Sequence, residues 1–294
     1  MNYGRTSLRR RAKQLDARGT RIRHKIGVIL GKLLLIGIIV GGCATVSFGV
    51  GAFKGILASA PDISEVDVIP TGYSTKVLAA DGSETAKLVA AGSNRQYVTI
   101  DQIPENLQHA VVAIEDERFY QHNGIDIMGI LRAGVTAVKT GFKRQEGAST
   151  ITQQLIKNTV LTTWTQEKTL GERIKRKVQE QYLAIQLEKD TNDKSKILEQ
   201  YMNTINLGQN TLGVQAASKR YFNKNVWELS LSECATIAGI TQNPSRFNPL
   251  SENGRKRNEE KRRVILQYMY EQGKITKEEQ EEALADDVYS RIKN

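Results

Sequence analysis

A glutamate beside an apolar run is the first residue suited to chemistry. The segment AVVAIEDERFYQHNGID, residues 110–126, places Glu115 after a run of aliphatic side chains. On a helix predicted over 105–120, Val112, Glu115 and Phe119 lie on one side because of their spacing. Apolar neighbours partly desolvate a carboxylate, which suits it to general acid or base catalysis. The alternative is a solvated glutamate at the edge of an amphipathic helix.

A second pattern is an uncharged polar stripe that ends in one lysine. In GASTITQQLIKN, residues 147–158, helical spacing puts Thr150, Gln153, Gln154 and Lys157 on one face. A solvated helix face normally alternates charges. Hydroxyl and amide groups with a single cation instead suit a groove for sugars and one anionic group. An ordinary polar helix face is the alternative.

A third pattern gathers cations around a second glutamate. In RIKRKVQEQYLAIQLEK, residues 173–189, Arg173, Arg176 and Lys177 precede Glu180 by seven, four and three residues. All four side chains therefore share one side of a helix. One interpretation is a cationic site for phosphate or pyrophosphate beside a carboxylate. The other is ion pairing on a surface helix.

The two glutamates together point to one class of reaction. A pair of carboxylates beside a sugar-binding groove predicts chemistry at a glycosidic carbon, where such pairs act as acid and base. The cations near Glu180 indicate that the leaving group is a phosphate rather than another sugar. Glu115 has apolar neighbours in the sequence and Glu180 has cationic ones, so different roles are predicted for them.

The elements that must position these residues are mostly helical. Asp126 is predicted to cap a helix over 127–139 with an apolar stripe, and Gly124 to end the preceding helix in a left-handed conformation. Two alternating runs around Asp81 and Gly82 predict a β-hairpin. Further helices are predicted at 149–160, 167–189, 193–206, 211–221, 230–240, 255–272 and 276–286.

The N-terminal region has the charge and hydropathy of a membrane anchor. Residues 1–32 carry ten lysines and arginines and one acid, and the chain as a whole is +10, so the body is nearly neutral. Residues 33–53 form an uncharged run that spans roughly 30 Å as a helix, the thickness of a bilayer's hydrocarbon core. Basic residues before the run predict a cytoplasmic N-terminus and an extracytoplasmic body. A buried core helix, a cleaved signal peptide and a lipoprotein cleavage box at 40–43 are the alternatives.

Composition excludes several other classes of protein. Apolar residues make up 39% and charged residues 25%, as in an ordinary folded protein. Cys43 and Cys234 do not make a disulfide framework, and three scattered histidines do not make a zinc site. No nucleic-acid partner is predicted, because the basic residues lie on the predicted cytoplasmic side of the membrane.

Five ordered segments resemble the motifs of the peptidoglycan glycosyltransferases, which occur alone or as the first catalytic domain of class A penicillin-binding proteins. The similarity covers roughly residues 95–250. The segments are EDERFYQHNGID, GASTITQQLIKN, RKVQEQYLAIQLE, KSKILEQYMNTINLGQNTLGVQAASKRYF and LSLSECATIAGITQNPSRFNP.

This resemblance implies a fold and an activity. The implied fold is mainly α and lysozyme-like, with a cleft between a large lobe and a smaller, membrane-facing lobe. The implied reaction polymerises lipid II into β-1,4-linked glycan strands with inversion and releases undecaprenyl pyrophosphate. Implied partners are lipid II, the growing strand, membrane lipid and proteins of cell-wall synthesis. No tightly bound cofactor is expected; a divalent cation, Mg or Mn, is an option.

The resemblance also implies roles for residues. Glu115 is similar to the general base that deprotonates the 4-hydroxyl of the acceptor GlcNAc. Glu180 is similar to the second acid, which assists the leaving group directly or through a divalent cation. Arg176 and Lys177 resemble pyrophosphate ligands, and Lys157 a contact near a pyrophosphate. The other implied substrate contacts and supporting residues are Asp116, Phe119, His122, Ser149, Gln153 and Gln154.

The predicted order is a basic tail (1–32), a transmembrane helix (33–53), a connector with the hairpin (54–94), the catalytic domain (95–250) and a helical extension (251–294). Matches to transpeptidase motifs at 139–141, 251–253 and 290–293 run in reverse order and are attributed to chance. No acyl-transfer domain is therefore expected within this chain. We expect the N-terminal part of a bifunctional class A penicillin-binding protein, with a complete monofunctional enzyme as the alternative.

Two other functions stay open on the sequence alone. A membrane-anchored lytic enzyme also uses paired carboxylates on a lysozyme-like fold, but it gives no role to Lys157, Arg176 and Lys177. An inactive scaffold for cell-wall assembly is disfavoured by the presence of both Glu115 and Glu180.

Overall fold

The computed structural model divides the chain into two compact units, Met1–Ser59 and Ala60–Asn294. It describes residues 4–15, 18–63, 75–88, 95–141 and 147–292. Parts of the predicted tail and connector lie outside the described residues.

The N-terminal unit consists of helix α1 (Arg5–Leu15) and the long helix α2 (Arg18–Ala58). Within α2, the segment Ile22–Ala58 is long and apolar enough to cross a membrane. The 41 residues of α2 extend roughly 60 Å, about twice the hydrocarbon thickness of a bilayer. The predicted span over 33–53 therefore lies within a longer helix, in its C-terminal half and middle.

The second unit is mainly helical. Two short strands, β1 (Thr75–Leu78) and β2 (Glu84–Leu88), pair antiparallel with Thr75 opposite Leu88. The helices are α3 (Glu105–Glu115), α4 (Ile127–Lys139), α5 (Ile151–Thr159), α6 (Leu170–Thr191), α7 (Lys194–Thr204), α8 (Val214–Phe222), α9 (Leu231–Ala238), α10 (Glu252–Glu271) and α11 (Lys277–Ala285). Single 3-10 turns lie at Ile100–Gln102, Phe119–Gln121, Thr162–Gln166, Val226–Glu228 and Val288–Arg291.

Local sequence signals explain where these helices begin. The Asp126 side chain accepts a hydrogen bond from the Gly129 amide at the start of α4, as predicted. Thr169 and Glu172 form a capping box at the start of α6. These side chains satisfy amides that have no partner within the helix, so residues within one turn fix the starts of α4 and α6.

One predicted helix is shorter than expected. The prediction of a helix over 105–120 was wrong at its C-terminal end, because α3 stops at Glu115 and Asp116 leaves the helical conformation. Phe119 belongs to a separate 3-10 turn. The Asp116 carboxylate contacts His122 and the Ile151 amide instead, and these contacts are incompatible with a continuing helix.

The core of the second unit lies around α9. Helix α9 packs against α3, α8, α10 and α11. Its Cys234 is fully buried, as are Ile265, Leu266 and Met269 of α10. The predicted extension over 251–294 therefore contributes to the same core as the predicted catalytic domain.

The apolar stripe of α4 lies on the surface rather than in this core. Ile127, Leu131, Val135 and Val138 are each more than half exposed. Gly129 is the residue of this helix that is buried. The periodicity correctly predicts an amphipathic helix, but the core does not cover its apolar face.

Candidate active site

Two cavities that share part of their lining form the candidate site. The larger one, hereafter the cleft, has a volume of about 1110 Å³ and is lined by Glu115, Tyr201, Thr241 and Lys261, among others. The smaller one, hereafter the side pocket, has a volume of about 290 Å³ and lies between α5 and α6. Ser149, Gln154, Lys157 and Trp164 line both cavities.

Glu115 is the last residue of α3 and lines the cleft. Its two carboxylate oxygens accept hydrogen bonds from the Thr241 hydroxyl at 2.5 Å and from the Gln154 amide at 2.8 Å. The Tyr201 hydroxyl donates to the amide oxygen of Gln154 at 3.1 Å, which fixes the orientation of that amide. Glu115 is thus held by a chain of neutral donors.

These contacts correct the predicted surroundings of Glu115. The sequence predicts apolar groups around the carboxylate, and Val112 and Phe119 are indeed buried. However, α3 ends before Phe119, so that residue does not share a helix face with Glu115. Hydrogen bonds from α5 and from the segment after α9 surround the carboxylate instead.

Asp116, next to Glu115, joins three segments of chain. One carboxylate oxygen accepts from the Ile151 amide at 2.9 Å, and the His122 Nε2 lies 3.0 Å from the other. Phe119 is fully buried beside them, with its ring edge-to-face against the His122 ring. Asp116, Phe119 and His122 therefore support the end of α3 and the start of α5.

Gly124 brings this loop against α6. Its φ of +84° is left-handed, as predicted, although α3 has already ended. A Cβ at this position would lie 2.6 Å from the carbonyl carbon and oxygen of Ala184. The carbonyl of Gly124 accepts hydrogen bonds from Thr150 and Gln153. Two residues of the predicted polar stripe thus bond within the protein.

Glu180 on α6 has cationic partners and is almost fully buried. One of its oxygens pairs with Arg176, and the other lies 3.0 Å from the Lys177 ammonium. Arg176 also contacts Glu167 at 2.6 Å through its Nε. Lys177 donates to Ser149 at 2.7 Å and to Gln153 at 2.9 Å. The predicted spacing is confirmed for Arg176 and Lys177, whereas Arg173 is exposed.

Lys157 completes the cationic side of the site. Its ammonium lies 4.8 Å from the centre of the Trp164 ring, over the ring face. Burial lowers the pKa of Lys157 below its usual range, and the charges of Arg176 and Lys177 act in the same direction. Glu180 and Glu115 oppose that shift. Lys157 is therefore electrostatically coupled to both glutamates.

Sequence reasoning missed three residues at the site. Thr241 binds Glu115 from 126 residues further along the chain. Trp164 and Glu167 lie in the connection between α5 and α6, which carries no periodic pattern. Thr241 does belong to the fifth segment quoted above, and that was the available signal for it.

This arrangement offers two carboxylates with different partners. A carboxylate held by neutral donors retains its negative charge and a defined orientation, as a general base requires. A carboxylate held by an arginine and a lysine is neutralised within its surroundings. The sequence profile of the family described as Transglycosylase matches residues 81–270. This chain belongs to the transglycosylase family.

The relatives of this transglycosylase chain are longer proteins. It is 42% identical over 265 residues to "Penicillin-binding protein 1A" of Clostridium botulinum, covering 88% of this chain and 30% of that protein. It is 45% identical over 190 residues to the protein of the same name from Aquifex aeolicus, covering 65% and 25%. A crystal structure of Penicillin-Binding Protein 1A from Haemophilus influenzae aligns with a TM-score of 0.41 at 26% identity, covering 74% and 21%. The chain thus spans less than a third of these relatives.

Proposed function

We propose that this chain is a membrane-anchored peptidoglycan glycosyltransferase that polymerises lipid II into β-1,4-linked glycan strands. The reaction would invert the anomeric carbon and release undecaprenyl pyrophosphate. The observation that carries the proposal is the contrast between Glu115 and Glu180 at two adjoining cavities. One glutamate has neutral donors and the other has cations, which matches an acceptor hydroxyl on one side and a pyrophosphate on the other.

Glu115 is the proposed general base. The acceptor sugar enters the cleft with its 4-hydroxyl at the Glu115 carboxylate, and Glu115 takes the proton as the oxygen attacks the donor's anomeric carbon. Thr241 and Gln154 keep the carboxylate oriented. Both donate to it, so neither competes for the proton that the base must accept.

The side pocket is the proposed site of the donor's pyrophosphate. Lys157, Arg176 and Lys177 surround it with positive charge, and Ser149, Gln153 and Gln154 line the same pocket. Charge-assisted hydrogen bonds to the departing pyrophosphate stabilise the charge that develops on it. Glu180 holds the arginine and the lysine in place and assists departure of the leaving group.

The residues of the side pocket limit how a divalent cation could bind there. Both oxygens of Glu180 are engaged by Arg176 and Lys177. Within the described residues, no group of three His, Cys, Asp or Glu side chains has the arrangement of a metal site. A Mg or Mn ion here would need phosphate oxygens of the substrate as further ligands. We propose such an ion as an option for this pocket.

The exposed apolar surface supports a membrane location for the catalytic unit. We propose that α4 belongs to the smaller, membrane-facing lobe, because Ile127, Leu131 and Val138 expose apolar side chains together. We also propose that α2 crosses the membrane with its basic N-terminal side in the cytoplasm. The body would then be extracytoplasmic, where it meets lipid II, the growing strand and other proteins of cell-wall synthesis.

The length of the relatives supports one further part of the proposal. Because the chain covers about 30% of the Clostridium botulinum relative, we propose that it is the N-terminal part of a bifunctional class A penicillin-binding protein. Strands β1 and β2 would be the hairpin that precedes the catalytic domain.

Incubation of the full chain with lipid II in detergent tests the proposed function. We expect polymeric glycan on a gel and release of undecaprenyl pyrophosphate, both abolished by Glu115→Gln. In a separate assay, the same protein is incubated with finished glycan strands. Cleavage of those strands without polymerisation of lipid II would support a lytic enzyme instead. If Glu115→Gln still forms polymeric glycan and still releases undecaprenyl pyrophosphate, the assignment of Glu115 as the base is wrong.

A further inference from the structure

Trp164 lies where the cleft and the side pocket meet. It belongs to the 3-10 turn Thr162–Gln166, which connects α5 to α6. Its side chain lines both cavities and is 39% exposed. The ring face lies 4.8 Å from the Lys157 ammonium. A tryptophan at this junction contacts one of the three cations of the side pocket.

Lys177 already uses all three of its N–H donors, and Arg176 uses two of its five. Arg176 contacts Glu167 and Glu180, and Lys177 contacts Ser149, Gln153 and Glu180. In the part of the chain that the structure describes, the Lys157 ammonium makes no hydrogen bond or ion pair. A cation–π contact is electrostatic and uses no N–H donor. The three donors of Lys157 are therefore available to an anion while the ring stays behind it.

We infer that Trp164 is a positioning residue for the donor's pyrophosphate, which it serves by backing the Lys157 ammonium. The ring contact persists in the complex, and the ammonium donates to phosphate oxygens from the opposite side. Trp164 thus fixes the position of the Lys157 ammonium in the side pocket. This inference rests on the proposed function, because it assigns the side pocket to a pyrophosphate.

An apolar role for Trp164 would have different consequences. Leu170 and Ile174, which follow it in sequence, are also exposed. The alternative is therefore that the Trp164 side chain is simply part of an exposed apolar surface. Trp164→Leu keeps an apolar side chain but removes the ring face. Trp164→Phe keeps a weaker ring face, because tryptophan is the best of the aromatic residues in cation–π contacts. The two variants therefore separate the two roles.

Intrinsic fluorescence offers a direct test, because Trp164 and Trp227 are the two tryptophans of the chain. In the full chain with Trp227→Phe, farnesyl pyrophosphate in detergent should change the Trp164 emission in a saturable way. Farnesol, which lacks the phosphates, should not. The change should disappear when Lys157→Met is added. Calorimetry with farnesyl pyrophosphate measures the affinity independently of the fluorescence.

Affinity in the two Trp164 variants completes the test. We expect Trp164→Leu to weaken farnesyl pyrophosphate binding about 2- to 30-fold, the range of one cation–π contact, and Trp164→Phe to lie between Leu and the parent. KM for lipid II should rise more than kcat falls. Parental affinity in Trp164→Leu, an unchanged emission at saturation, or no binding by the parent would overturn the inference. Binding with these changes but without polymerisation of lipid II would instead overturn the proposed function alone.

Discussion

Glu115 and Glu180 are the same residue type on two helices of one unit, yet their surroundings differ in charge. The Glu115 carboxylate accepts hydrogen bonds from two neutral donors, Thr241 and Gln154. The Glu180 carboxylate receives an arginine and a lysine. Neutral donors orient a carboxylate and leave its charge unbalanced, whereas the arginine and the lysine together balance the charges of Glu180 and Glu167. The surroundings of Glu115 and Glu180 therefore distinguish their proposed roles, which the residue type alone does not.

The two glutamates also differ in where their partners come from. Arg176 and Lys177 lie within one turn of Glu180 on α6. Gln154 and Thr241 lie 39 and 126 residues from Glu115. The Glu180 site is thus a local property of one helix, while the Glu115 site exists only after the unit has folded.

The largest expected effect is on the glutamate with neutral donors. Glu115→Gln keeps the shape of the side chain but removes the proton acceptor, so turnover of lipid II should fall about 10²- to 10⁴-fold. Binding of farnesyl pyrophosphate should stay at the parental level. Glu105→Gln, at the exposed start of the same helix, is the control and should retain activity. Near-parental turnover in Glu115→Gln would contradict the proposed base.

Glu180→Gln should give the opposite combination of effects. Removal of its charge leaves Lys177 without a carboxylate partner and Arg176 with Glu167 alone, so farnesyl pyrophosphate should bind more tightly while turnover falls less than in Glu115→Gln. Calorimetry and the polymerisation assay measure the two effects. Glu188→Gln is a suitable control, because Glu188 is buried on the same helix and pairs with Lys194. Equal losses of binding in the Glu115 and Glu180 variants would remove the contrast between the two sites.

Arg176 tests the cationic site with a smaller expected change. Arg176→Lys replaces a planar fork by a point charge. A lost hydrogen bond between charged groups is worth about 1.5–3 kcal/mol, so donor affinity should fall by roughly one to two powers of ten. Arg173→Ala, one turn earlier and exposed, should bind farnesyl pyrophosphate like the parent. An unchanged affinity in Arg176→Lys would show that Arg176 does not contact the pyrophosphate.

Gly124 packs closely against Ala184 of α6, and its replacement should lower the free energy of unfolding. Gly124→Ala combines a left-handed φ with a Cβ that would lie 2.6 Å from the Ala184 carbonyl. We expect a loss of more than about 2 kcal/mol in the free energy of unfolding. Gly273→Ala has a φ of +67° with no atom within 4 Å of the added Cβ, so it should lose about 1 kcal/mol. Equal losses in a denaturant titration would mean that the close approach to Ala184 does not matter.

The smallest expected effect concerns the orientation of Glu115. Thr241→Val removes one of the two hydrogen bonds to the carboxylate while Gln154 keeps the other, so turnover should fall about 10-fold, the lower end of the range for a hydrogen bond to a charged group. KM for lipid II should change little. Thr241→Ser restores the hydroxyl and should restore most of the rate. If Ser and Val behave alike in the polymerisation assay, the methyl group rather than the hydroxyl of Thr241 is what matters.

Features set by near neighbours in sequence could be predicted. The cap of α4 by Asp126 and the pairing of Arg176 and Lys177 with Glu180 follow from spacings of three or four residues. The early end of α3 could not be predicted, because it depends on contacts of Asp116 with His122 and with the distant Ile151. Thr241 is a still longer-range contact. Trp164 lies in a connection whose path is set by the packing of α5 against α6.

Packing of α10 and its neighbours has a practical consequence for producing this protein. Arg262 is buried and donates to the Ala283 carbonyl at 2.5 Å, and the Tyr289 hydroxyl donates to Asn258 at 2.7 Å. Helix α10 also lines the cleft through Lys261 and Tyr268. A recombinant fragment cut at residue 250 would lose a wall of its catalytic groove and expose α9 to solvent. A fragment that keeps this core intact therefore has to extend through Ile292, which is buried after the turn Val288–Arg291.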